Sequence, residues 1–268
     1  MSNLNRYAQI IEAIFQQAYQ KGMERVEFSR SDFEGIARSL GIAIPKNLGD
    51  IIYSFKYRTQ MPPSILATAP PDKTWIIRNV GRAKYAFDLV KEIAIKPNEA
   101  LMAVKVPDST PAIVTMYAFN DEQALLTRIR YNRLLDIFTR VTCYSLQNHL
   151  RTSVEGIGQI ETDELYIGID KNGVHYALPI QAKSKIDRLG VTQIEQDIAL
   201  CQAKFPHLIC RPVGAQFMAN GLIALFEFVD TDDGIRIKSE MHYQLVPAEA
   251  INSQELREYR NRADIDTV

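Results

Sequence analysis

Residues 158–183 read Gly-Gln-Ile-Glu-Thr-Asp-Glu-Leu-Tyr-Ile-Gly-Ile-Asp-Lys-Asn-Gly-Val-His-Tyr-Ala-Leu-Pro-Ile-Gln-Ala-Lys. Two β-rich runs flank Asn172-Gly173, the dipeptide that most readily adopts the positive φ of a tight hairpin turn. The segment 156–185 therefore predicts a β-hairpin. With Asn172-Gly173 as a two-residue turn, Gln181 falls opposite Glu164 and Lys183 opposite Thr162. Side chains alternate along a strand, so Gln181 and Lys183 share a face and Ala182 points to the other. The open end of the hairpin thus gathers Glu161, Asp163 and Glu164 on one strand and Gln181 and Lys183 on its neighbour. Three acids within four positions repel one another, a cost that packing alone does not explain. The plain alternative is a surface hairpin whose charges are merely solvated.

This grouping suits phosphodiester hydrolysis. Mg²⁺ favours oxygen donors and keeps several waters, and Mn²⁺ can substitute for it. Such a cation polarises the phosphate and lowers the pKa of a bound water, while a lysine ammonium offsets the charge that accumulates. Asp163 is the preferred metal ligand, Gln181 offers a carbonyl oxygen, and Lys183 is the expected catalytic lysine. Glu161, on the same face as Asp163, ranks second among the acids and Glu164 third. Which of the three touches metal stays open.

Gly158-Gln159-Ile160-Glu161-Thr162-Asp163-Glu164 followed by Ile180-Gln181-Ala182-Lys183 resembles the PD-(D/E)xK nuclease superfamily of restriction endonucleases and Holliday-junction resolvases. The motif departs from the usual pattern in lacking the proline before the acid and in placing glutamine where Asp or Glu is usual. The resemblance implies a mixed β-sheet flanked by helices, Mg²⁺-dependent cleavage leaving 5′-phosphate and 3′-hydroxyl ends, and double-stranded DNA as substrate. A homodimer is expected, because cutting both strands of a duplex needs two sites.

Downstream, Thr192 and Glu195 have capping-box spacing for a helix. Segments 208–213, 222–228 and 243–246 read as strands. Asp230-Thr231-Asp232-Asp233-Gly234 lacks the later glutamate of a calcium loop and reads as a turn. Upstream, Asn120-Asp121-Glu122-Gln123 begins a helical run, and 130–151 reads as a polar-rich helical stretch. Arg133, Asn148, His149 and Arg151 there are candidate DNA contacts, with a solvated face as the alternative.

The N-terminal part differs in charge. Between Ile44 and Phe87 seven basic residues face two acids, a local net of +5 in a chain whose net charge is −1. Ile10, Ile11, Ile14 and Phe15 repeat at helical spacing, Ser31 and Glu34 form a capping-box pair, and Leu48, Ile51, Ile52 and Phe55 supply a third helical face. Two strand-like runs, 74–78 and 84–87, follow. Three helices and a trailing β-ribbon predict a winged helix over residues 1–98, followed by a nuclease domain over 99–268 (an α/β or α+β chain overall). The helix from Pro45 to Tyr57 would read a DNA groove through Lys46, Asn47 and Lys56, with Arg58 just beyond it and Arg82 in the ribbon. A winged helix used only for protein contacts is the alternative.

Three widely spaced cysteines, no apolar run of membrane-spanning length and no signal-peptide pattern predict a soluble, cytoplasmic protein. The expected function is a restriction-type DNA endonuclease. The competing readings are a non-catalytic DNA-binding regulator with a nuclease-like fold and a nuclease acting on branched DNA or RNA.

Overall fold

Asn5 starts helix α1 (Arg6–Ala18) by accepting the Ala8 N–H at 2.9 Å, and the apolar face predicted from Ile10 to Phe15 is buried. The computed structural model describes residues 5–43, 48–57, 59–91, 95–119, 121–185, 189–232 and 234–261, without the side chains of Tyr57 and Asn220. After α1 come β1 (Arg25–Ser29), α2 (Arg30–Ser39), α3 (Gly49–Tyr57), α4 (Pro63–Leu66), β2 (Lys73–Gly81) and β3 (Lys84–Lys91). The three strands form an antiparallel sheet of order β1-β3-β2. Helix α2 is capped at Ser29, not Ser31: the Asp32 carboxylate accepts the Ser29 N–H at 2.6 Å and its hydroxyl at 2.9 Å. Two overlapping Ser-x-x-acid patterns were available, and the one adjoining β1 takes the cap. A cluster drawn from residues 8–87 holds these elements together, with Phe15 edge-on to Trp75 and Phe87. Each such buried aromatic contributes roughly 1.5–3 kcal/mol of apolar burial.

The rest of the chain is a mixed α+β unit: β4 (Val104–Pro107), α5 (Ala112–Tyr117), α6 (Glu122–Tyr131), α7 (Leu134–Thr139), β5 (Thr142–Val154), β6 (Gly158–Ile169), β7 (His175–Lys183), α8 (Val191–Lys204), β8 (Ile209–Cys210), β9 (Val213–Phe217), β10 (Ile223–Thr231), β11 (Gly234–Val246) and α9 (Ser253–Asn261). Its sheet runs β4-β11-β10-β9-β7-β6-β5, with β8 also beside β7. Strands β5, β6 and β7 are an antiparallel meander, α8 crosses over, and β9 lies parallel to β7. Alternate residues of β10 divide between two cores: Ile223 and Leu225 pack with α6 and α7, Ala224 and Phe226 with α8. Both faces of the central strands are therefore covered.

Several expectations are corrected. The polar stretch expected to continue as helix to residue 151 instead breaks twice. Arg133 (φ 52°) and Arg140 (φ 56°) adopt left-handed backbone around α7, and the chain then extends as β5. Helix α8 begins at Val191 behind Gly190, whose N–H is met by the Gln193 side chain at 3.4 Å, so the Thr192–Glu195 pair is not its cap. Residues 230–234 form the β10–β11 turn as expected, with Asp233 outside the described residues. Among the described residues no helix is long and apolar enough to cross a membrane.

Candidate active site

The hairpin forms with a register one residue away from the predicted one. Asp170 and Val174 close a three-residue loop: the Asp170 carboxylate accepts N–H groups from Asn172 and Val174, both at 2.9 Å, and Gly173 takes φ +80°. Ile180, not Gln181, therefore lies opposite Glu164. This is the type I turn with a left-handed glycine, the other common use of Asn-Gly.

The shift matters because the β6–β7 ladder ends at Glu164–Ile180. Beyond it side chains bridge the parting strands. Asp163 Oδ2 accepts the Ala182 N–H at 2.8 Å, and Gln181 Nε2 donates to the Glu161 carbonyl at 3.2 Å. On the outer side, β5 pairs Asn148 with Glu164 and Leu150 with Thr162, and the intervening His149 is left-handed at φ +48°. Histidine seldom adopts this conformation, and it breaks the strand's alternation opposite Asp163.

Lys183 reaches the same place from the end of β7. It is nearly buried, and its Nζ lies 3.2 Å from Oε1 of Glu122. Glu122 opens α6, a helix started by Asp121 accepting the Ala124 N–H at 2.9 Å. The half-buried Asp163 has its pKa raised by desolvation, opposed by the Lys183 ammonium and the Ala182 N–H. The site is thus an acid and a lysine at the parted ends of two central strands, faced by a second acid from a helix N-terminus.

A second, fully buried layer lies behind it. Asp197 of α8 accepts hydrogen bonds from the Thr162 hydroxyl and from Gln181 Nε2, the latter 3.1 Å from both carboxylate oxygens. Burial pushes the Asp197 pKa up to about 7, against the lowering effect of those bonds. Gln181 Oε1 in turn accepts from Gln193 Nε2 at 3.2 Å. Both ends of the Gln181 amide are therefore engaged in a buried network with Asp197 and Gln193. A glutamate at this position would set a second carboxylate against Asp197, and like charges at close range cannot both ionise in a dry interior.

The structure brings Asp163 and Lys183 together, with Gln181 just behind them; the other two acids are engaged by arginines, though the charge of Glu161 still reaches Asp163. Glu164 is fully buried against Arg130 (2.7 Å) and the Ser145 hydroxyl (2.6 Å). Glu161 pairs with the exposed Arg151 at 3.1 Å. Among the described residues no group of three His, Cys, Asp or Glu side chains is arranged to hold a metal ion. Sequence reading missed Glu122, and its only local signal was the Asn-Asp-Glu helix start.

Of the candidate DNA contacts, Lys46, Asn47 and Arg58 lie outside the described residues. Lys56 is half-buried between Asn79 (3.4 Å) and Glu195, and burial lowers its pKa to about 8. It therefore borders the seam between the N-terminal elements and α8. Arg82 is exposed at the β2–β3 turn, and Arg133 is exposed but paired with Asp136. Asn148, His149 and Arg151 are all exposed along β5, beside Asp163. Arg78 joins the two parts of the chain, binding Asp88 in β3 and the Glu195 carboxylate of α8. The chain matches no family model, no curated protein and no solved structure.

Proposed function

We propose that the protein is a DNA endonuclease of the PD-(D/E)xK type, cutting phosphodiester bonds at Asp163 and Lys183. The observation that carries this reading is the meeting of Asp163, Lys183 and Glu122 where β6 and β7 part. A helix, an antiparallel meander, a crossover helix and a parallel strand, in that order around the site, agree with the resemblance. The arrangement α1, β1, α2, α3, β2, β3 supports a winged helix as the N-terminal part.

The donor set suits a hydrated divalent cation such as Mg²⁺ or Mn²⁺. Asp163 is held desolvated, a cost that a dication would offset, and Mg²⁺ needs only one or two carboxylates besides waters and substrate phosphate. Bound there, the cation would supply charge for the phosphate and an acidified water. Lys183 places an ammonium where negative charge develops on the phosphate, and Glu122 keeps it aimed at the cleft. The Ala182 N–H fixes the Asp163 carboxylate, and Gln181 holds β6 to β7 from behind. Asn148, His149 and Arg151 line the approach along β5, suited to the DNA backbone. Two copies would cut a duplex on both strands.

Supercoiled plasmid incubated with Mg²⁺ or Mn²⁺ tests this reading. Wild type should nick or linearise it, and Lys183→Ala and Asp163→Asn should lose at least ~100-fold in rate, as loss of a charge-stabilising group does. Undiminished cutting by Lys183→Ala, or wild-type inactivity on DNA of many sequences, overturns it. A second reading, a nuclease-like fold that binds DNA without cutting, is favoured by the engagement of Gln181 Oε1 with Gln193. Metal-independent, salt-sensitive duplex binding without cleavage would select it.

A further inference from the structure

Helix α5 differs from the other helices of the large unit in what it leaves uncovered. None of its six residues is buried, and Ile113, Met116 and Tyr117 are 64%, 71% and 72% exposed. Their i, i+3, i+4 spacing puts all three on one face, and Phe119, 78% exposed, follows just past the helix end. A helix this short is not held by its own hydrogen bonds in water. In proteins such helices persist by packing an apolar face.

The chain nevertheless fixes α5 at both ends. Asn132, buried just after α6, accepts the Ser109 N–H at 2.6 Å. Its amide donates to the Thr110 hydroxyl at 2.9 Å and to the Asp108 carboxylate at 3.3 Å. The Asp108 N–H in turn donates to the Val246 carbonyl of β11 at 2.8 Å. At the other end Asp121, two residues beyond Phe119, caps α6. The apolar face is therefore presented from anchored ends rather than left on a loose loop.

Area and charge select one occupant. At roughly 200 Å² per large side chain the four expose about 550 Å², the upper end of what a monomer leaves in one patch. Two copies meeting there would cover about 1,100 Å² from these side chains alone, past the ~1,000 Å² that marks a specific interface. Residues 109–119 carry no charge, so identical faces meet without repulsion. DNA is a poor occupant for the same reason, since its phosphates call for Lys and Arg. A membrane surface fits no better, because interfacial helices carry a basic face and α5 has no base.

We propose that α5 and Phe119 form the face on which a second copy of this chain docks, in a dimer whose two-fold axis passes between the two α5 helices. The contact is isologous, each copy giving the same apolar face to the other. Glu122 follows Phe119 within ~11 Å of chain, so both candidate sites flank the axis. That consequence, and not the dimer itself, rests on the nuclease reading.

Sedimentation equilibrium of the full chain over a range of concentrations tests this. Wild type should form a dimer of the 30.4 kDa chain. Met116→Glu, which sets two like charges into the contact, should raise the dimer dissociation constant at least ~100-fold. Tyr117→Ser removes a ring without adding charge and should raise it ~10-fold or more. Both side chains are exposed in the single chain, so the circular dichroism of each variant should match wild type. A wild type that stays monomeric, or variants that dimerise as tightly as wild type, overturns the proposal. Plasmid cutting separates the two ideas. A monomer that cuts keeps the nuclease reading and loses this one. A dimer that Met116→Glu breaks but that never cuts does the reverse. Where both hold, Met116→Glu should nick supercoiled plasmid that wild type linearises.

Discussion

Replacing Asp197 by asparagine should change how stability depends on pH, not merely its level. Asp197 is fully buried, with a pKa pushed up to about 7 from 3.8. An acid whose folded pKa exceeds its unfolded value binds more protons in the folded state, so it lowers stability as pH rises between the two values. The cost is absent below the unfolded pKa and complete above the folded one. Raising the pKa from 3.8 to about 7, at about 1.36 kcal/mol per pH unit, gives a ceiling of about 4 kcal/mol, of which about 3 accrues between pH 5 and pH 8. Asparagine cannot ionise. Its carbonyl can accept from Thr162 and Gln181, but its amide N–H₂ meets Gln181 Nε2, a donor, so at pH 5 the variant should be less stable by about 1–2 kcal/mol. By pH 8 the difference should shrink or reverse. Urea unfolding of both proteins at the two pH values, in EDTA, reads this directly. A stability difference that stays the same at both pH values refutes the reasoning, because Asp197 would then be ionised in the fold throughout.

Two further predictions concern packing around the site. Glu164→Ala strips the buried partner from Arg130 and Ser145; since the guanidinium is partly exposed and can rehydrate, the loss should be about 2 kcal/mol, and a urea midpoint within error of wild type would contradict it. At Gly214, paired with Gln181, a Cβ would lie 2.6 Å from Leu189 and 2.9 Å from Phe228, both buried. Gly214→Ala should cost about 1–3 kcal/mol by overpacking and lift α8 from the sheet; an unchanged melting temperature would show that the wall yields freely.

The hairpin was legible because Asn172-Gly173 sits between two long β-rich runs. Its register was not, since Asn-Gly serves both two- and three-residue loops, and the choice rests on the Asp170 side chain capping the turn. That one-residue difference decides which side chains fall past the end of the ladder. Strand β5 was mistaken for helix for another reason. It is the edge strand, largely solvent-exposed from Tyr144 to Arg151, so no alternation marks a hidden face. The candidates Asp163 and Lys183 could be named from the sequence, whereas the contact of Glu122 with Lys183 could not. Its tie to Lys183 spans 61 residues and depends on how α6 packs across the sheet. The contacts of Gln181 were not legible either: the sequence holds no sign that Gln193 and Asp197 from the next helix engage both ends of its amide.

The far edge of the sheet sets an order of assembly. Strands β5, β6 and β7 meet their neighbours through short connections, so they can form as soon as that part of the chain exists. Strand β4 must wait: it pairs with β11, Val104 beside Tyr243, 139 positions later. Closing so long a loop costs about 4 kcal/mol on a logarithmic scale, against about 2 for a hairpin. Four residues of parallel pairing return little of that. During synthesis the meander that carries Asp163 and Lys183 is therefore poised to fold first, and the edge made by β4 and β11 closes last. In native-state hydrogen exchange the amides of β4 should be the first of the large sheet to open.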